Sequence, residues 1–125
     1  MRIKRVVIGI EPLEEGLKKF ADAAEAARRG ISGKRRDGVF FTSLEAMRRV
    51  LTPRRLELLH LIREHAPGSV YKLAGICKRE LANVQDDVSL LARIGLVTLR
   101  RVNAPRRRVI PCVPYDQLQV RIPLI

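Results

Sequence analysis

Tryptophan is absent from this 125-residue sequence, and the remaining aromatics are only Phe20, Phe40, Phe41, Tyr71 and Tyr115. With no arginine–aromatic interleaving, there is no stacking platform of the kind used to recognise single-stranded nucleic acid. Cysteine is equally scarce. Cys77 and Cys112 lie far apart with no CxxC pairing, which excludes a disulfide framework and a zinc module, and both are expected to be reduced core thiols. His60 and His65 are five residues apart, off the i, i+4 spacing that would align them on a helix. HExxH, glycine-rich phosphate loops and GxSxG are also missing, so neither catalysis nor a cofactor or metal is expected. Long apolar runs are lacking too. The run near the start, Val6 to Ile10, is too short for a signal-peptide core or a membrane span, which predicts a cytoplasmic protein with no membrane partner.

Acidic residues are the last deficit, 13 against 25 Lys and Arg, for a formal charge of +12. The imbalance is uneven along the chain. Residues 96–125 carry six cations and one anion, and Arg100, Arg101, Arg106, Arg107 and Arg108 fall within nine residues. Like-charge repulsion disfavours that density unless a polyanion screens it, and nucleic-acid phosphate is the obvious polyanion.

Ile3 to Ile10 is β-branched and reads as a strand. A helix is expected from Leu13, with Leu17, Phe20, Ala21, Ala24 and Ala27 at helical spacing and Gly30 as its stop. Residues 31–38, ISGKRRDG, lack periodicity and read as an exposed loop, so a division is placed there: a strand–helix extension over 1–38 and a second domain over 39–125. In TSLE, Thr42 and Glu45 suggest a capping box opening a short helix to about Leu51. Thr52 and Pro53 open the next helix, through His65, which Pro67 and Gly68 end.

Ser69 then caps a short helix to about Cys77. A brief connection, Lys78 to Glu80, leads to a longer helix from Leu81 to Ile94. In the longer helix Leu81, Val84, Val88 and Leu91 form the buried stripe, which leaves Asn83, Gln85, Asp86, Ser89 and Arg93 largely outside. Gly95 is a left-handed C-cap, with Leu96 folding back on the last turn. Two strands, Leu96–Arg101 and Arg107–Val113, flank a turn at Asn103 to Pro105. Helix, short helix, turn, longer helix and basic hairpin is the order of a winged helix-turn-helix, so the fold class is α+β.

The stretch Leu51 to Arg101, with its pieces LTPRRLELL, GSVYKLA and NVQDDVSLLARIGLV, resembles the MarR-like winged helix-turn-helix regulators of archaea and bacteria. It is especially similar to a group of small predicted DNA-binding proteins, some of them antitoxin-like. FTSLEAMRRVL and VPYDQLQVRIPL extend the likeness. The resemblance implies that the helix from Ser69 crosses the DNA backbone, that the helix from Leu81 enters the major groove, and that the hairpin is the wing. The sequence departs from that group at Gln85, Asp86 and Ser89, where members tend to carry histidine or cations.

On these grounds Asn83 and Gln85 are candidates for bidentate contact with adenine, with Ser89 beside them. Lys78 and Arg79 stand before the helix as phosphate contacts, with Lys72 and Tyr71 weaker candidates. Arg101, Arg106, Arg107 and Arg108 are the wing cations; strand alternation predicts that two of the last three reach DNA. Asp86 and Asp87 cost affinity unless they are turned into intraprotein pairs.

The tail QLQVRI alternates, and it can pair with Ile3–Ile10 within one chain or across a dimer. The expected function is a sequence-specific, double-stranded DNA-binding transcriptional regulator acting as a repressor, a homodimer on a palindrome. The rival is an antitoxin that neutralises a toxin protein through its N-terminal strand and helix, with autoregulatory DNA binding. A third reading is an RNA-binding protein, for which A-form duplex would compete as well as B-form.

Overall fold

A computed structural model gives the structure of the protein. It describes residues 3–11, 31–35 and 38–124, with the side chains of 31–35 excepted. The helix expected from Leu13 lies outside the described residues. The fold is α+β, with four helices and two small sheets among the described residues. The elements are β1 (Arg5–Ile10), β2 (Ile31–Arg35), β3 (Gly38–Phe41), α1 (Leu44–Val50), α2 (Pro53–His65), α3 (Val70–Cys77), α4 (Leu81–Arg93), β4 (Thr98–Val102), β5 (Arg108–Cys112) and β6 (Gln117–Arg121).

The chain forms two compact units, residues 53–116 and a sheet unit made of 1–52 and 117–125. This grouping differs from a division at residue 38. Hydrogen bonding is the reason: β1 is parallel to β3 on one edge and to β6 on the other, so the sheet, ordered β2-β3-β1-β6, gathers both ends of the chain. The two terminal strands therefore pair within one chain.

In the sheet unit, Val6 and Ile8 of β1 share a face with Val39 and Phe41 of β3, and all four are buried. Ala46, Met47 and Val50 of α1 supply further buried apolar side chains, and α1 packs on β3. Gly38 is required where it stands, because a Cβ there would run into the Val7 carbonyl of the adjacent strand. Residues 31–35, expected to be loop, form a strand. β2 pairs antiparallel with β3 through a register irregularity between Ile31 and Gly33, so its backbone finds a partner that its polar, glycine-containing sequence did not advertise. The cap of α1 is Ser43, not Thr42: its Oγ accepts from Ala46 N at 3.1 Å.

The second unit is built around Leu58, Leu59 and Ile62 of α2, Leu73 and Ala74 of α3, and Val84, Val88 and Leu91 of α4, all buried. β5 lies against α2 and α3, and Val113 after it joins the core. The Arg63 guanidinium on α2 donates to the Val113 carbonyl at 3.2 Å and pairs with Asp116, fastening the chain beyond β5 to the helices. At the end of α4 the chain reverses as expected. Gly95 has φ 94°, its N–H donates to Ala92 O, and Leu96 N–H donates to Leu91 O at 2.9 Å. Leu96 and Leu91 are both fully buried, the apolar contact that closes this kind of cap. The cysteines depart from expectation, with Cys77 half-buried and Cys112 exposed. Cys112 alternates with the buried Pro111 and Val113, which turns it outward.

Candidate nucleic-acid interface

Ser69 positions the first wall of the site. It is buried, and its Oγ accepts from Lys72 N at 3.0 Å, which fixes the first turn of α3 and leaves Tyr71 and Lys72 exposed. The helix ends at Lys78, whose φ of 56° is left-handed, so the chain turns sharply into Arg79 and Glu80 before α4 begins. A non-glycine residue in that region is uncommon, and here the Lys78 and Arg79 N–H groups both return to Ala74 O.

A three-residue ion network sets the placement of α4. Asp87 accepts from Arg55 Nε of α2 at 3.0 Å and from Arg79 Nη2, in the turn, at 2.8 Å. The Asp87 side chain is 14% exposed. Burial pushes its carboxyl upward, but the hydrogen bonds and charges of Arg79 and Arg55 outweigh that and hold it below the usual carboxylate value. Asp87 is thus turned into an intraprotein pair, the condition under which its charge does not oppose DNA. The same network commits Arg79. Its guanidinium faces Asp87 rather than solvent, and its Nη1 is buried without a hydrogen-bond partner, so Arg79 holds α4 in place instead of standing free for phosphate.

The second wall is the exposed face of α4, and the third is the hairpin. β4 and β5 pair antiparallel from Thr98↔Cys112 to Val102↔Arg108. The Ala104–Pro105 peptide in the connecting turn is cis, and Arg108 Nη1 donates to Ala104 O at 3.0 Å, bracing the turn. Between these walls lies an open groove of about 1450 Å³. Its lining includes Lys72, Gln85, Ser89, Arg101, Arg106, Arg107 and Arg108, and it contains no carboxylate. With Tyr71, which also lines it, eight of the eleven residues singled out by sequence therefore meet in one concavity. Lys78 and Asn83 are exposed but lie outside it, as does Arg79. Alternation does separate Arg100 from Arg101, and only Arg101 lines the groove. It does not divide Arg106, Arg107 and Arg108, because β5 starts only at Arg108 and the other two belong to the turn. All three line the groove. Among the described residues Arg100, Arg101, Arg106 and Arg107 form no ion pair.

Sequence reasoning missed the part played by Arg55, whose only signal was its place in a first helical turn. It also undervalued Tyr71, which is 75% exposed beside Lys72 in the groove lining. Among the described residues there is no group of three or more His, Cys, Asp or Glu able to hold a metal, and no helix long and apolar enough to cross a membrane.

These features define an α+β protein with a carboxylate-free basic groove between a helix pair and a hairpin. Residues 50–120 match the HVO_A0114 family, and the chain belongs to that family. No curated protein and no solved structure matches the chain.

Proposed function

We propose that the protein binds double-stranded DNA as a winged helix-turn-helix transcriptional regulator of MarR-like type, acting as a repressor that occludes a promoter. The groove carries this reading: five cations and no carboxylate line a concavity with a helix on one side and a hairpin on the other. A single phosphodiester strand has the charge that such a concavity complements, and a helix beside it is then positioned at the major groove. Salt titration of binding to the DNA upstream of its own gene, against random duplex, tests the proposal. A steep salt dependence with preference for the upstream DNA is expected, and each of Arg101→Ala, Arg106→Ala and Arg107→Ala should lower the slope of log K against log salt by about 1. An unchanged slope in all three variants removes the groove from the reading.

The regulator acts on a palindrome as a homodimer, and the edge strand proposed for its interface is β6, one of the two edges of the sheet. Pairing two copies of β6 antiparallel around Gln119 sets Leu118 against the partner's Val120 and Gln117 against the partner's Arg121, with no like charges opposed. The antitoxin alternative meets a constraint here. β1 is hydrogen-bonded on both sides, so a toxin cannot add to that strand and would have to engage β6 or β2.

A further inference from the structure

Asp86 is the residue that the groove does not explain. It follows Gln85 and precedes the buried-side Asp87, yet it is exposed, and among the described residues its carboxylate has neither an ion-pair nor a hydrogen-bond partner. Positions i, i+3, i+4 and i+7 share one face of a helix, so Ala82, Gln85, Asp86 and Ser89 form a single stripe opposite the buried Val84 and Leu91. All four are exposed, and Gln85 and Ser89 also line the groove. A solvated carboxylate in the middle of that stripe opposes phosphate at every DNA sequence. Where a base edge presents a hydrogen-bond donor, the opposition becomes an attraction.

We propose that Asp86 is a specificity-determining residue that accepts a hydrogen bond from the exocyclic amino group of a cytosine in the major groove. The proposal rests on the reading of α4 as the base-facing helix. Two bases offer an amino donor there, cytosine N4 and adenine N6. Adenine places its N7 acceptor beside the amino group, and that lone pair repels a carboxylate. Cytosine has a C–H in the corresponding position, so the anion is best matched by cytosine. The neighbouring Gln85 is a neutral amide with a donor and an acceptor side by side, so it meets both N6 and N7 and suits adenine instead. Asp87 takes no part, because Arg55 and Arg79 hold it.

The test selects duplexes from a randomised library with the full-length wild-type protein. Affinities are then measured at one salt concentration for the selected site, for every single-base-pair change in it, and for random duplex, using wild type, Asp86→Ala and Asp86→Asn. Wild type is expected to prefer one C·G pair by roughly tenfold or more, the discrimination a well-placed base contact supplies. Asp86→Ala should lose that preference and bind random duplex more tightly, whereas Asp86→Asn should move the preference at the same pair toward adenine. If Asp86→Ala keeps the wild-type preference at every pair, the proposal is overturned while DNA binding stands. Wild-type protein that selects no site, or binds no duplex, overturns both.

Discussion

Asp87 shows how one side chain can fix the placement of a helix. Its carboxylate joins Arg55 of α2 and Arg79 of the turn to α4, so three segments are held together by two charge-assisted hydrogen bonds. Because the network is largely sheltered, removing the carboxylate leaves two guanidinium groups without their counter-charge. Asp87→Asn is therefore expected to destabilise the protein by about 1–3 kcal/mol at neutral pH, a partly exposed pair costing less than a fully buried one. Its pH dependence has a definite sign. The folded-state pKa is depressed, so the stabilisation is complete above the unfolded carboxyl value and is lost as pH falls through the lower folded one. The stability gap between wild type and Asp87→Asn should accordingly be full at pH 7 and shrink below about pH 4, as denaturant titrations at the two pH values will read. A gap of the same size at both would mean that the carboxylate charge contributes nothing.

At the scale of elements, the helices of residues 53–116, with the Ser69 and Gly95 caps, were legible because their signals are local. Ser69 sits one residue before its helix, Gly95 two residues after the last turn of α4, and Leu96 folds back beside it, each within reach of the groups it satisfies. Gly95→Ala is expected to cost about 1 kcal/mol or more, because alanine pays a steric penalty at φ 94° that glycine avoids. Thermal unfolding measures it, and an unchanged midpoint would show that the reversal does not need glycine. What was not legible is non-local. β2 owes its extended form to pairing with β3, and nothing in ISGKR distinguishes such a strand from a loop. The parallel partnership of β1 with β6 joins residues from opposite ends of the chain, so the alternating tail announced a strand but not its neighbour. The groove was legible as a list of cations and amides, whereas the separation of Arg79 and Asn83 from it depended on where Asp87 and the helix face lay.

For the whole molecule, net charge says less than its arrangement. Residues 53–116 hold 12 cations and 6 acids, and the rest of the chain 13 and 7, so each unit carries +6. Residues 53–116 gather five of their cations around a groove free of carboxylates.

The sheet unit is discontinuous in sequence, and β6 is the piece that can be removed without touching residues 53–116. Ending the chain after Asp116 strips β1 of one hydrogen-bonding neighbour and takes Leu118 from beside the buried Val6. The expected result is faster amide exchange in β1 and a loss of about 2 kcal/mol or more in the stability of that sheet, from several exposed hydrogen bonds and part of an apolar face. Amide exchange in α2 to α4 should stay as in the full chain, because their buried side chains belong to the other unit. The same truncation tests the proposed DNA contact apart from the proposed dimerisation. If two copies meet along β6, light scattering should find a dimer for the full chain and a monomer for the shortened one. Binding to a single half-site should then persist, while the added affinity for a palindrome disappears. A shortened chain that remains dimeric would place the interface elsewhere, and one that loses half-site binding would show that the groove depends on the sheet.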